Sequence, residues 1–141
     1  MKNVFTFILI LIFTMCLTGC NSKEQQSIII KEESFLTQLN SILLNKDKYI
    51  NYEITIEGIF FNDIVDGEVL NAIYRTSPGC CGNDGIAGLD VSWNGDIPVN
   101  NSWVKGTGIL KKYEKDDKEY LILRLSSLQV LENRGKEFVT N

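Results

Sequence analysis

The chain has no histidine and only two prolines, and its four cysteines fall into two places: Cys16 and Cys20 near the N-terminus, and the adjacent pair Cys80-Cys81. Without histidine there is no imidazole general base, no imidazole zinc ligand, and no Ser-His-Asp or Cys-His catalytic pair. No two carboxylates have a spacing that assigns them to acid-base work, so a non-enzymatic protein is expected. Basic residues are also in deficit, 14 Lys and Arg against 18 Asp and Glu, for a net charge of −4 with no basic cluster. Phosphate neutralisation by Lys and Arg supplies most non-specific nucleic-acid affinity, so no nucleic-acid partner is expected.

Long hydrophobic runs are confined to Val4–Phe13, which follows Lys2. That run is shorter than the roughly 20 apolar residues of a membrane-spanning helix and has the length of a secretory signal core. Leu17-Thr18-Gly19-Cys20 then matches the bacterial lipobox, in which small residues precede a cysteine that is acylated, with palmitate among the chains, before cleavage in front of it. The expectation is a signal peptide over 1–19, a lipidated tether over 20–27 beginning at Cys20, and a lipoprotein of the bacterial cell envelope held outside the cytoplasm on a membrane. Each buried methylene of an acyl chain adds roughly 0.8 kcal/mol to that attachment. Loss of Lys2 leaves the mature chain more acidic by one charge.

On this reading Cys80 and Cys81 are the only thiols of the mature chain. They stand in Ser77-Pro78-Gly79-Cys80-Cys81-Gly82-Asn83-Asp84-Gly85, a composition that marks a loop. Adjacent Cα atoms are about 3.8 Å apart, whereas an unstrained disulfide prefers roughly 4.4–6.8 Å, so a bond within the pair would be strained and easily reduced. Three roles stay open: a vicinal dithiol that senses redox state, two thiolate ligands for a thiophilic metal such as zinc with Asp84 and Asp90 as oxygen donors, or two small residues that shape the loop.

Polar residues run from Asn21 to Gln26, and then Phe35, Leu36, Leu39, Ile42 and Leu43 recur on one helical face, with Ser34 as a candidate cap. Tyr52–Phe61 alternates with Ile54, Ile56 and Phe60 on one side, and Gly58 inside it predicts a bulge or bend. A turn over Asn62–Gly67, strands near Val69–Thr76 and Gly88–Trp93, and a hairpin of Trp103–Tyr113 and Tyr120–Leu125 about a turn over Glu114–Glu119 complete the pattern. Leu128, Val130 and Leu131 extend the last strand, and the charged tail is expected to fray. Trp93, Trp103, Tyr74 and Tyr113 are expected in the core, and Glu53, Glu57, Asp63 and Asp66 in solvent. The fold class is all-β with one N-terminal helix, an OB-like barrel of five to six strands over 28–132, followed by a tail over 133–141; a β-sandwich is the alternative.

Three pieces carry a family resemblance: Tyr49–Phe61 with Ile56-Glu57-Gly58, the Tyr74-Arg75 strand entering Cys80-Cys81 with Asp84 after it, and Trp103-Val104-Lys105-Gly106-Thr107-Gly108. From about Phe35 to Leu131 the chain resembles the soluble C-terminal region of the DUF1980 group, the YcgQ-like permease-associated proteins. Members show a Cys-Cys-x-x-Asp pattern, occupied here by Cys80, Cys81 and Asp84, and carry membrane helices where this chain has a lipobox. The resemblance implies an accessory role beside a membrane permease and assigns no activity. The expected function is a lipid-anchored binding or accessory module whose Cys80-Cys81-Asp84 loop takes a soft metal, with a dithiol redox sensor or a plain protein-interaction module as alternatives.

Overall fold

The computed structural model describes residues 25–65, 67–79 and 84–140. Strand β1 (Ser27–Ile29) leads through a 3-10 turn at Glu32–Ser34 into helix α1 (Phe35–Leu44) and a one-turn helix α2 (Lys46–Tyr49). Then come β2 (Glu53–Val65), β3 (Glu68–Pro78), β4 (Asp84–Ser92), β5 (Trp103–Lys115) and β6 (Lys118–Val130). The helix forms where its apolar spacing predicts, with Phe35, Leu39 and Ile42 buried. Each such side chain contributes roughly 1.5–3 kcal/mol by leaving water. Ser34 occupies the N-cap position, but its hydroxyl lies 3.0 Å from Gln38 Oε1 and makes no bond to a helix amide.

The sheet order is β1-β2-β3-β4-β6-β5, and β5 pairs back onto β2. Strands β2 to β6 therefore close into a five-stranded barrel, antiparallel except for β4 with β6. This is the OB-like topology expected, and the β2–β5 closure removes the sandwich. One strand serves two neighbours: β2 pairs with β5 over Glu53–Ile59 and with β3 over Ile59–Val65. Gly58 sits at the change of partner, where a Cβ would stand 2.5 Å from the Tyr74 carbonyl oxygen. The register runs through it unbroken, so Gly58 marks a bend; the ladder irregularity lies instead at Thr107/Gly108.

Both hairpin turns are tighter than their composition predicts. Val65 pairs with Glu68, so β2 continues through the segment expected to turn, and Gly67 takes φ +83°. Lys115 pairs with Lys118 across Asp116 and Asp117, both at positive φ, the signature of a type I′ connection matched to strand twist. β4 likewise begins at Asp84, four residues before the expected start, because Ile86 and the glycines around it hide the alternation.

The charged tail docks where fraying was expected. Thr76 N donates to Glu137 O at 2.9 Å, Val139 N donates to Thr76 O at 2.9 Å, and Val139 is buried in the core. The cause is the split of β2 from β3 beyond the Ile59–Tyr74 rung, which leaves an edge on each strand. Strand β1 covers the β2 edge in parallel at Glu53–Thr55, and the tail covers β3 at Thr76. Ile30 and Val139 join the same cluster as Phe35, Ile56, Ile73 and Leu110, so both ends of the described chain complete one core.

Candidate functional site

Cys20, Cys80 and Cys81 lie outside the described residues. Pro78 pairs with Asp84 as the last rung of the β3–β4 ladder, and Asp84 is exposed there. Asp90 pairs with Ala72 at the other end of the same ladder. Six residues of strand separate the two carboxylates by about 20 Å, so Asp84 and Asp90 do not share a metal site. Among the described residues, no three Asp, Glu, Cys or His side chains are grouped to hold an ion.

A cleft does form, on the outer face of β3 and β4. Ile73, Arg75, Leu89 and Val91 point inward and are buried, which turns Ala72, Tyr74, Gly88 and Asp90 outward. With Phe61, Leu70 and Ile86 these line a cavity of about 430 Å³. Phe61 and Tyr74 meet edge to face, 6.4 Å between centroids, and form one wall. Gly88 keeps the floor low: a Cβ there would stand 2.2 Å from the Ile73 carbonyl oxygen.

A second cavity of about 300 Å³ shares Leu70 and Asp90 with the first and runs to Tyr113, Lys115 and Ile122 of the β5–β6 hairpin. The two form one cleft between that hairpin and the β2–β3 hairpin. Lys115 Nζ reaches Glu68 Oε2 at 2.6 Å and ties the hairpins together at its edge. Tyr113 stacks on Tyr120 at 5.4 Å beside it.

The electrostatics of the cleft are set by Asp90. Burial removes water from its carboxyl and pushes its pKa above the ordinary aspartate value. The Tyr113 hydroxyl is also raised, first by burial and then by the negative charge of Asp90. Glu68 beside Lys115 raises that ammonium, so the one basic residue that lines the cleft among the described residues is already paired. The lining is thus largely apolar and aromatic and carries two carboxylates, the desolvated Asp90 and the Lys115-paired Glu68.

Tyr74 and Tyr113 line this cleft where core positions were expected, because each sits on the outward side of its alternating strand. Trp93 is half-buried, its Nε1 donating to Asp96 O at 3.0 Å, and only Trp103 of the four is buried. Glu53, Glu57 and Asp63 keep contact with solvent as expected, Glu57 pairing with Lys105 at 3.1 Å, while Asp66 lies outside the described residues.

Arg75 belongs to no site motif in the sequence, although Ile73 two residues earlier places it inward. Its guanidinium lies over the Phe35 and Trp103 rings at 4.7 and 4.8 Å. Nε donates to Glu57 O at 2.9 Å, and Nη1 to Lys136 O at 3.0 Å and Glu32 Oε2 at 3.1 Å. These partners join barrel, 3-10 turn and tail, so Arg75 is a structural tie.

Fold and cleft together define an OB-like domain with an open, carboxylate-bearing face. The chain belongs to the DUF1980 family: the model of the DUF1980 C-terminal domain matches residues 15–139. No curated protein matches it. Among solved structures, the N-terminal domain of PriB from Thermoanaerobacter tencongensis is similar at 18% identity over 57% of this chain and 97% of its own, with a TM-score of 0.34. The mitochondrial single-stranded DNA binding protein Rim1 from S. cerevisiae is similar at 16% identity over 58% and 96%, with a TM-score of 0.35. Yeast Stn1 and Ten1 give 13% identity over 85% and 70%, with a TM-score of 0.34. Similarity at this level assigns no ligand to the present chain.

Proposed function

We propose that this protein is a non-enzymatic binding module, anchored through Cys20 to a membrane of the bacterial cell envelope, that holds a partner across the β3–β4 cleft. The observation that carries the reading is the cleft itself: an aromatic and apolar surface, framed by two hairpins, left open on a domain whose core is otherwise complete. OB-like barrels use the face of these two strands and the flanking hairpins to bind. The cleft's two carboxylates, Asp90 and Glu68, supply polar anchors beside apolar and aromatic side chains, an arrangement suited to holding a partner. A membrane permease is the partner that the family resemblance brings forward. Metabolic labelling with an alkyne-bearing palmitate tests the anchor, with label on the wild type and none on Cys20→Ser. Ala72→Trp, which fills the cleft from an outward position, tests the face: co-purification of the partner with the detergent-solubilised protein should fall, and unchanged co-purification refutes the reading.

A second reading concerns Cys80, Cys81 and Asp84. It is favoured by the position of Asp84, exposed at the rung that closes the connection holding both thiols. Two thiolates and a carboxylate make a donor set for zinc or another thiophilic ion, completed by a partner's ligand. Native mass spectrometry of the chain purified without oxygen or chelator should then show bound metal that disappears in Cys80→Ser. A metal-free chain lighter by a pair of hydrogens would instead favour the vicinal disulfide, and free thiols would leave the pair to loop shape.

A further inference from the structure

β4 is paired to β3 from Asp84 to Asp90, but to β6 only at Val91 and Ser92. Its second edge from Asp84 to Asp90 therefore has no ladder partner among the described residues. Strand edges of this kind accept an added strand, whose backbone completes the ladder while alternate side chains enter whatever pockets lie beneath. Here the pockets belong to the cleft, because Ile86, Gly88 and Asp90 line it at every second residue. Asp90 stands at the junction of the two cavities, and the described residues supply it with no cation. Desolvated carboxylates gain from a positively charged donor, and lose when faced with phosphate or another carboxylate. Glu68 at the cleft edge adds to that preference, and Lys115 is committed to Glu68.

We propose that the cleft binds an extended basic peptide: a partner segment laid along the open edge of β4, with one lysine or arginine reaching Asp90 between apolar neighbours. The proposal rests on the β3–β4 cleft being the binding face and names what that face selects. Phe61, Tyr74 and Tyr113 hold the apolar flanks and the aliphatic stem of the basic side chain, and the carboxylate takes its charged end. A nucleic-acid strand would bring phosphates to the same carboxylate and is disfavoured.

Titration of the purified full chain tests this with capped peptides of alternating valine and threonine, one carrying a central lysine and its partner norleucine. The lysine peptide should bind at least about tenfold more tightly, the ratio one charge-assisted hydrogen bond supplies. Asp90→Asn, a change that keeps size and leaves the melt cooperative, should bring that ratio close to one. Amide exchange in β4 from Gly85 to Leu89 should slow when the lysine peptide is bound. A ratio of one in the wild type, a lysine preference that survives Asp90→Asn, or tighter binding of an oligothymidylate would overturn the proposal. If both peptides bind equally and Ala72→Trp abolishes both, the cleft is a binding face without charge selection. If neither binds the wild type, or Ala72→Trp changes nothing, the proposal falls and the binding-face reading loses its support.

Discussion

Lys115 Nζ stands 2.6 Å from Glu68 Oε2, and the two residues come from the tips of different hairpins. The pair spans the edge of the cleft that both hairpins border. Neither side chain is buried, and exposed pairs of this kind add little to stability. Their effect is on the mouth of the cleft. Lys115→Ala should leave the melting temperature unchanged within error while increasing the fast motion of both turns in NMR relaxation. High salt should reproduce that increase in the wild type, because it screens the pair; motion insensitive to both would show that the hairpins are held by packing alone.

Arg75→Leu should be far more costly. It removes the partner of Glu32 and of two backbone carbonyls, together with a guanidinium over two aromatic rings. Loss of a buried charged donor of this kind is worth about 3 kcal/mol. Chemical denaturation measures it, and amide exchange at Thr76 and Val139 should accelerate as the tail detaches. Arg75→Lys should rescue little, since a single ammonium cannot replace the planar fork.

Two carboxylates give stability opposite dependences on pH. Glu32 has its pKa lowered, first by the Lys136 N–H and then, against the effect of burial, by Arg75. Its contribution is complete above the ordinary glutamate value and is lost as pH falls through the lowered one. Asp90 has its pKa raised by burial, so its neutral form favours folding and that benefit is lost as pH rises through the raised value. Thermal melts should therefore show Glu32→Gln destabilising at about pH 7 and nearly neutral at about pH 3. Asp90→Asn should stabilise at about pH 7 and lose that gain in acid.

Gly88→Ala should cost about 1–3 kcal/mol, the usual penalty of overpacking. The new Cβ would meet the Ile73 carbonyl oxygen at 2.2 Å and Tyr74 Cα at 2.6 Å, both backbone atoms that cannot rotate away. Denaturant titration of the variant checks the figure, and an unchanged midpoint would mean that β3 and β4 shift apart at little cost.

The helix was legible because Phe35, Leu39 and Ile42 repeat at a helical spacing, and the barrel because Ile54, Ile56 and Phe60 alternate within a glycine-bent strand. The tail was not. Val139 is one apolar residue in a charged stretch, and its place depends on the split between β2 and β3, a long-range event without a local pattern. The cleft was half visible: Leu89 and Val91 set Asp90 on the outward side of β4. Its desolvation depends on Tyr113 and Leu70, brought from two other strands by the curl of the barrel. Arg75 was readable by the same alternation, as a charge at an inward position that needs partners.

The most direct test of the central claim is photo-crosslinking in intact cells from benzoylphenylalanine placed at Ile86, an exposed residue within the cleft, and at Val130, an exposed residue of β6 outside it. A partner held across β3 and β4 predicts a discrete membrane-protein adduct from Ile86, lost in the Ala72→Trp background and absent from Val130. No adduct from Ile86, or the same adduct at equal yield from Val130, would contradict the account.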